Sequence, residues 1–402
     1  MTTKLGHCLI VNSYSYRNAG DAAIMLATKQ LLEDQGAASV TLSSRYDDRL
    51  EYRAHGVNVV AEIVPFPAVG TRFVRTVRLV LGMFASVTVI AASQLGRRVG
   101  RAALRVLMPH VFRILKDVDT VVIAGGGYMY SSKRRLNFSL YQSLVSIRLG
   151  HAAVGATLMM PQSIGPVTRE IDRRLIEWSL KYTTPVVRER LSLAASARMP
   201  RLNAREVDDV AFYRQSSGSS AQVREVCRIV VMDWRWSTSS DDAAFEAYVQ
   251  ALVDVATGVH ALGLEVVLGG HSSIPEHKQD DLLVARLISA RLRVPHLVDT
   301  NTDVAHLYQA YAATRVVIGT RLHACIMAVS VGTPAISLQY QEKSSGVLGR
   351  LGMQDLVHRV DAIDSALLIR QVREVAQTRR RCSGLAERVR VRIASAYEGI
   401  HA

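Results

Sequence analysis

Cysteine is scarce in this sequence, which argues against the classes of protein that are held together by paired or metal-binding cysteines. Four cysteines occur among 402 residues, and no two of them form a Cys-x-x-Cys pair. This number and spacing argue against a disulfide framework and against a cysteine-rich metal site. Residues 1–7 also lack the apolar core and cleavage site of a secretion signal. We therefore expect reduced, buried thiols in a cytoplasmic protein.

Motifs that mark several ligand classes are missing as well. The first predicted strand end lacks the G-x-G-x-x-G spacing, so a dinucleotide site is not supported. The net charge of +14 indicates an anionic partner. Zinc-finger spacing and aromatic-studded basic strands are absent, so we do not expect nucleic acid to be that partner. No internal repeat of roughly 20 to 50 residues is present.

Acidic residues are absent between Ile63 and Lys116, where nine arginines and lysines occur. Within this basic, apolar insert, about 66–116, eighteen uncharged residues separate Arg78 from Arg97. That length reaches the lower limit of roughly 17 residues for a membrane span. Strand-like segments that should share one sheet lie before and after the insert, however. A single crossing of the bilayer would place them on opposite sides of the membrane. A helix, or a pair of short helices, lying on an anionic membrane surface fits better. The alternative is a buried helix with an arginine-rich solvent face.

The chain is longer than one ordinary hydrophobic core, which predicts two domains. Strand and helix signals alternate in both halves, which is typical of α/β folds with a mainly parallel sheet. The Ser/Gly-rich stretch 215–222 is typical of a linker. We predict Rossmann-like domains over 1–214 and 223–402, with the final helices as candidates to pack back on the first domain. Two doubly wound domains would then face a cleft, with ligands at the strand carboxyl ends.

The alternation predicts individual elements. The predicted strands are 7–12, 39–42, 57–64, 120–124, 153–160, 185–188, 228–232, 265–269, 315–319 and 334–338. The predicted helices are 20–35, 136–149 (stopped by Gly150), 169–181, 241–262, 278–292, the segment after Leu322, and helical stretches within 362–397.

The turn after strand 315–319 carries the most informative residues, Arg321 and His323. A strand-to-helix turn aims backbone N–H groups and a positive helix end at an anion. A guanidinium there can grip phosphate or carboxylate with two hydrogen bonds, and an imidazole is suited to proton transfer near neutral pH. The pattern predicts a catalytic site for a phosphorylated substrate. The alternative is that Arg321 caps the helix and His323 fills a core position.

Three strand ends in the first half predict further site residues. The first holds Asn18, which can bond its own loop, Gly20, which permits close approach, and Asp21, which suits a helix N-terminus. The second is the run Gly125-Gly126-Gly127, whose backbone N–H groups can line a pocket. The third is the turn that begins at Gln162. A capped helix and plain turns are the alternative readings of the first and third.

Two further cations follow strands and are candidates to bind an anionic substrate. Arg188 ends the strand 185–188, and Lys343 follows the strand 334–338. A single charged side chain on a loop is usually just solvated. Their shared placement at strand carboxyl ends is what makes both candidates.

Taken together, these motifs resemble the polysaccharide pyruvyltransferase family, which makes ketal-linked pyruvate on bacterial surface sugars from phosphoenolpyruvate. The most specific part is Arg321-Leu322-His323-Ala324 with the downstream Gly332-Thr333-Pro334 and Tyr340-Gln341-Glu342-Lys343. Weaker matches are Asn18-Ala19-Gly20-Asp21, Ala124-Gly125-Gly126-Gly127, Gln162-Ser163-Ile164-Gly165-Pro166, residues 187–192, residues 208–212 and Asp280-Asp281. Ala22, Pro161 and Ser163 depart from the family pattern, which bears on the acceptor pocket more than on the donor site.

The resemblance implies a fold like that of GT-B glycosyltransferases and chemistry that needs no metal and no cofactor. Phosphoenolpyruvate would be the donor, bound by Arg321 with Arg188 and Lys343 assisting. His323 would do the acid–base work, and Asp21 would receive a hydroxyl proton or orient the helix.

The resemblance also implies a sugar acceptor, in a surface glycan or lipid-linked precursor. The first domain would then be the acceptor side and the second the donor side. With the basic insert, this predicts a cytoplasmic protein that is a candidate to lie peripherally at the inner face of the plasma membrane. A nucleotide-sugar glycosyltransferase and a non-catalytic membrane-associated binding protein remain alternatives.

Overall fold

Parallel strands alternating with helices make up most of the described chain. The computed structural model describes residues 5–64, 72–132, 137–214, 222–235, 242–274, 279–377 and 379–399. The chain divides into a first unit (Met1–Tyr16, Ile24–Val210 and Ala394–Ala402) and a second unit (Arg17–Ala23 and Ala211–Ile393). Residues 215–221 of the predicted linker and 66–71 of the predicted insert lie outside the described residues.

The first unit contains two parallel sheets. Its strands are β1 (Gly6–Val11), β2 (Ala37–Ser44), β3 (Asn58–Ala61), β4 (Thr120–Ile123), β5 (Gly126–Met129), β6 (Thr157–Met159), β7 (Gln162–Ile164), β8 (Val186–Val187) and β9 (Arg205–Glu206). Its helices are α1 (Ala19–Asp34, which starts in the second unit), α2 (Arg49–Arg53), α3 (Arg72–Ser93), α4 (Arg97–Leu107), α5 (Pro109–Leu115), α6 (Phe138–Val154), α7 (Glu170–Leu180) and α8 (Arg190–Ala197). The strand orders are β3-β2-β1-β4-β6 and β5-β7-β8-β9.

The order of the larger sheet creates a switch point beside β1. The chain winds outward through β2 and β3 and then returns to pair β4 with the other edge of β1. All four residues of β4 are buried, as expected for a strand covered by helices on both faces. Leu9, Val121 and Leu149 join strands and helices in one apolar core. Loops after β1 and β4 therefore meet where doubly wound sheets bind ligands.

Helix α6 extends beyond the end that the sequence predicts. Asn137 caps its start by accepting a hydrogen bond from Leu140, and the helix continues through Gly150 to Val154. Gly150 does not stop the helix; it lets the helix approach β4, since a Cβ there would lie 3.0 Å from Val121. Gly155 caps the C-terminal end of the helix, with a φ of 90° in the left-handed conformation that glycine adopts most easily. The predicted strand 153–160 is accordingly shortened to β6.

The second unit is built on one six-stranded parallel sheet. Its strands are β10 (Val226–Val230), β11 (Glu265–Gly269), β12 (Ser273–Ile274), β13 (Gln279–Asp280), β14 (His296–Asp299), β15 (Val316–Gly319), β16 (Ala335–Gln339) and β17 (Val357–Arg359). Its helices are α9 (Asp242–Ala261), α10 (Asp281–Ser289), α11 (Val304–Ala312), α12 (Leu322–Ser330), α13 (Lys343–Gly349), α14 (Ser365–Val375) and α15 (Arg379–Tyr397). The order is β14-β11-β10-β15-β16-β17, with β12 and β13 forming a separate antiparallel pair.

Strand β10 marks the switch point of this sheet. It pairs with β11 on one edge and with β15 on the other, so the loops that follow β11 and β15 leave the sheet on either side of it. Apolar residues from strands and helices, among them Ile229, Leu252 and Leu368, form the core. The turn after β15, which carries Arg321, therefore lies at the ligand-binding edge of the sheet.

The last residues of the chain return to the first unit. Residues from Ala394 group with that unit. The Tyr397 hydroxyl donates a 2.8 Å hydrogen bond to the carbonyl of Met159. Arg205 donates a 2.7 Å hydrogen bond to the carbonyl of Ala396.

Candidate functional site

Arg321 occupies the N-cap position of α12, but its side chain does not cap the helix. Its backbone is extended (φ −84°, ψ 122°) and no side-chain capping bond forms. The guanidinium instead makes a two-point contact with Asp281, from Nε to Oδ2 at 3.0 Å and from Nη2 to Oδ1 at 2.7 Å. The capping alternative is therefore wrong. Three of the five N–H bonds of the guanidinium are left for other acceptors.

Asp281 joins three segments of the second unit. Besides Arg321, its Oδ2 accepts hydrogen bonds from the backbone N–H groups of His271 and Ser272, each at 3.0 Å. The carboxylate is almost completely buried. Burial works against the charge of Arg321, but the Asp281 carboxylate outweighs it and raises the pKa of the guanidinium. Arg321 is thus a fixed, charged donor at the start of α12.

The loop that carries Asn18 and Gly20 lies against the same segment. Asn18 forms an antiparallel bridge with Ser272, and the N–H of Ala19 donates to the carbonyl of His271 at 2.8 Å. The Asn18 Oδ1 accepts a hydrogen bond from Gly20 N–H at 3.2 Å, so the predicted bond within the loop is confirmed. This pairing explains why Arg17–Ala23 groups with the second unit rather than with β1.

Gly20 and His323 are in direct contact. A Cβ built on Gly20 would lie 2.7 Å from Nδ1 of His323 and 2.8 Å from its Cβ. Such distances are shorter than real carbon contacts, so only glycine allows the imidazole this position. Asp21, in the first turn of α1, is near enough for its charge to contribute to the raised pKa of Arg321. The structure therefore brings together Asn18, Gly20, Asp21, Arg321 and His323.

Replacing Gly20 with alanine is expected to displace His323 and to lower turnover. The added methyl overpacks the contact, which costs about 1–3 kcal/mol of unfolding free energy. Urea unfolding and the activity of the purified protein would measure the two effects. Gly349→Ala is the matched control, because a Cβ at this helical position meets nothing within 4 Å. A Gly20→Ala protein with unchanged turnover would show that the position of His323 does not matter.

His271 is a buried histidine that the sequence does not assign to the site. Its side chain is completely buried, and its Nε2 shares a hydrogen bond with the Tyr311 hydroxyl. Burial first, and the neighbouring charges of His323, Arg321 and Arg228 next, hold its pKa well below the usual value. A neutral His271 lets the site keep its other positive charges without adding one more.

The remaining second-unit candidate, Lys343, is the first residue of α13. That helix follows β16, which pairs with β15. Lys343 therefore leaves the sheet one strand away from the Arg321 turn. Its contact with substrate stays a prediction.

The first-unit candidates form a separate group around β5 and β7. Gly126 pairs with Gln162, and the N–H of Arg188 donates to the carbonyl of Gln162 at 3.2 Å. A Cβ on Gly125 would lie 2.9 Å from the carbonyl oxygen of Pro161, and Gly126 has a φ of 132°. The structure therefore explains why glycine occupies positions 125 and 126. A pocket-lining role for Gly125, Gly126, Gly127 and Gln162 stays a prediction.

The guanidinium of Arg188 is buried and held within the first unit. It donates to Asp209 Oδ2 at 2.6 Å and to Ser163 Oγ at 2.8 Å. This network joins the residue after β8 to β7 itself and to the loop that follows β9. Binding of substrate by Arg188 stays a prediction. Among the described residues, no three His, Cys, Asp or Glu side chains are arranged to hold a metal ion.

Comparison with known sequences finds a family model that matches most of this chain. The sequence model described as "Polysaccharide pyruvyl transferase" matches residues 18–342. The amylovoran biosynthesis protein AmsJ of Erwinia amylovora is 23% identical over 287 residues. That match covers 65% of this chain and 66% of AmsJ, slightly less than two thirds of its length.

Comparison with solved structures shows the fold. HepE of Anabaena, in complex with UDP and glucose, has a TM-score of 0.54 and 11% identity, covering 98% of this chain and 96% of that chain. UDP-GlcNAc 2-epimerase from Neisseria meningitidis, bound to UDP-GlcNAc, has a TM-score of 0.51 and 9% identity, covering 95% of this chain and 93% of that chain. At such identities the likeness concerns the fold alone. The predicted α/β, GT-B-like fold with Rossmann-like units is confirmed.

Proposed function

This chain belongs to the polysaccharide pyruvyl transferase family, and we propose that it transfers pyruvate from phosphoenolpyruvate onto two hydroxyls of a sugar. The product would be a cyclic ketal in a surface glycan or glycolipid precursor, with phosphate released. The single observation that carries this proposal is the direct contact of His323 with Gly20, beside Arg321 in its Asp281-held position. In this proposal Arg321 binds the anion and His323, two residues further along the same turn, carries the proton.

Donor binding rests on Arg321 and the start of α12. Phosphoenolpyruvate carries a phosphate and a carboxylate, and a guanidinium binds either group with parallel hydrogen bonds. Asp281 uses one side of the guanidinium and leaves three N–H bonds for the substrate. The N–H groups at the start of α12 add their partial positive charge. Lys343, one strand away, is the assisting cation in this proposal.

The chemistry needs one proton delivered to carbon and one leaving group. His323 donates a proton to the methylene carbon of phosphoenolpyruvate, which makes C2 electrophilic and converts the methylene to a methyl group. The first sugar hydroxyl adds to C2 and loses its proton, the C2–O bond to phosphate breaks, and the second hydroxyl adds with loss of its own proton. The net result is one ketal and one phosphate, with no redox change.

Asp21 and Arg321 stabilise different stages of this sequence. Asp21, in the first turn of α1, is the proposed acceptor of a sugar hydroxyl proton. Arg321 contributes most as phosphate departs, because fixed donors are most effective where charge develops. A positioned acid–base group such as His323 supplies roughly 10²–10⁴-fold of rate.

A nucleotide-sugar glycosyltransferase is the second candidate, since HepE shares the fold and its structure contains UDP and glucose. Purified protein incubated with a glycolipid extract from a gene-deleted host, and with either phosphoenolpyruvate or nucleotide sugars, separates the two. We expect phosphate release from phosphoenolpyruvate and a pyruvate-sized mass gain on the glycan. Release of nucleoside diphosphate, with phosphoenolpyruvate left intact, would contradict the proposal and favour the glycosyltransferase.

A further inference from the structure

Helix α3 leaves one long apolar face uncovered. Phe73 and Phe84 are 77% and 72% exposed, although large apolar side chains are normally buried in a soluble protein. The exposed members of this face are Phe73, Val77, Val80, Leu81, Phe84 and Val87. Their spacing of three to four residues places them on one side of the helix, over four turns. A contiguous run of six exposed apolar side chains on one helix face marks an interaction surface.

The opposite face of α3 is anchored in the first unit. Ser86, Val89 and Ile90 are buried, and the two apolar ones belong to the core that also contains Leu104 and Leu149. Gly100 of α4 allows close packing on α3, because a Cβ there would lie 2.7 Å from the Cβ of Ser93. The helix thus presents its apolar face outward from a fixed support.

The surroundings of this face are positively charged. No acidic residue lies between Ile63 and Lys116. Helix α4 exposes four arginines, together with Val106 at its end. The four are Arg97, Arg98, Arg101 and Arg105. Exposed apolar side chains next to long cationic ones are the pattern of helices that lie in a lipid headgroup layer.

A membrane span does not fit the topology. By length and composition α3 is apolar enough to cross a bilayer, since Thr76–Ser93 has a mean hydropathy of 1.7 and 17% of it is buried. Strands β3 and β4, which precede and follow the helical insert, belong to the same sheet. A span would also require Val89 and Ile90 to leave the core. The sequence alternative of a buried helix is wrong as well, because the apolar side of α3 is exposed.

We propose that α3 and α4 dock this protein on an anionic membrane surface, with the apolar face of α3 among the acyl chains and Arg98 and Arg105 of α4 on lipid phosphates. Arg97 and Arg101 face the first unit instead, against Gly155 and the Lys116 carbonyl. The three-helix arrangement replaces the one or two helices that the sequence predicts for the insert. The inference goes beyond the proposed function, because docking requires neither phosphoenolpyruvate nor a sugar. It would bring the enzyme to the layer in which lipid-linked sugars reside.

Co-sedimentation of the full chain with vesicles tests the docking. One vesicle preparation contains phosphatidylcholine alone, and the other contains part phosphatidylglycerol. We expect at least roughly tenfold stronger binding to the anionic vesicles, because each arginine near such a surface strengthens binding by up to about tenfold. The preference should weaken as the salt concentration rises, since salt screens the attraction. The Leu81→Ser/Phe84→Ser protein should bind at least roughly tenfold more weakly, since two large apolar side chains no longer enter the lipid. Arg98→Glu/Arg105→Glu should lose the preference for anionic lipid.

The matched control is Leu283→Ser/Leu297→Ser, which removes two exposed leucines of the second unit. It should bind vesicles like the unchanged protein, and circular dichroism should show all variants folded. The proposal is overturned by equal sedimentation of all variants or by no vesicle binding. It is also overturned if α3 instead mediates a dimer that Leu81→Ser/Phe84→Ser dissociates, or if alkaline carbonate fails to release the protein from host membranes.

Discussion

Replacing His323 with glutamine is expected to lower kcat by roughly 10²–10⁴-fold, because the amide cannot deliver a proton to the methylene carbon of phosphoenolpyruvate. The KM for phosphoenolpyruvate should change little, since in the proposed mechanism Arg321 and the start of α12 hold the anion. The measurement is phosphate release with the glycolipid extract as acceptor, together with the pyruvate content of surface glycans in a complemented deletion strain. Thermal stabilisation of the variant by phosphoenolpyruvate should persist.

His260→Gln is the matched control for this prediction. His260 lies in the last turn of α9, away from the turn that carries Arg321, and its replacement should leave kcat unchanged. Unchanged turnover in the His323→Gln protein would show that His323 is not the acid. A non-catalytic binding protein would be favoured if the unchanged protein showed no turnover and the His323→Gln protein were no longer thermally stabilised by phosphoenolpyruvate.

Replacing Asp281 with asparagine is expected to produce the largest loss of stability. The carboxylate accepts four hydrogen bonds, two from Arg321 and two from backbone N–H groups. An asparagine side chain has one acceptor oxygen and no charge, so Arg321 would be buried without its counter-charge. Breaking one partner of a buried pair costs about 3–5 kcal/mol. Urea unfolding should show this loss, and the KM for phosphoenolpyruvate should rise as the guanidinium loses its fixed position.

The neighbouring residue supplies the control for Asp281. Asp280 caps α10 by accepting a hydrogen bond from the N–H of Leu282, and asparagine is an equally good capping residue. Asp280→Asn should therefore change neither stability nor KM. An Asp281→Asn protein that is less stable but keeps its KM would reduce Asp281 to a structural role. One that keeps both would show that the ion pair contributes little.

The local features of the site could be predicted from the sequence because they depend on neighbouring residues. The apolar run before Gly319 predicts β15, and the turn that follows predicts α12 with Arg321 at its start. The bond from Gly20 to Asn18 spans two residues and is likewise a local matter. Each of these predictions is confirmed, since short-range propensity and tertiary packing favour the same structure.

The partners of the site residues could not be predicted, because they come from distant parts of the chain. Arg321 and Asp281 are 40 residues apart, and Arg188 and Asp209 are 21 apart. The Asp280-Asp281 pair is a signal in the sequence, but spacing alone does not reveal that Asp281 would bind Arg321. His271 carries no comparable signal, because only the folded chain shows its burial beside Tyr311.

Elements of the fold were missed for related physical reasons. β5 and β7 are only four and three residues long, too short for a periodic pattern to emerge. Strand β14 and helix α11 were also not predicted, although Asp303 caps α11 through two backbone N–H groups. The sequence predicts a helix end at Gly150 because glycine usually marks one, whereas in the structure it permits the close approach of α6 to β4.

The position of phosphoenolpyruvate in a crystal of the full chain tests the central claim most directly. The claim is that Arg321, held by Asp281, binds the donor while His323 faces its methylene carbon. The account predicts phosphate or carboxylate oxygens within hydrogen-bond distance of the Arg321 guanidinium and the methylene carbon within reach of a ring nitrogen of His323. Phosphoenolpyruvate bound away from α12, with Arg321 contacting only Asp281, would contradict it.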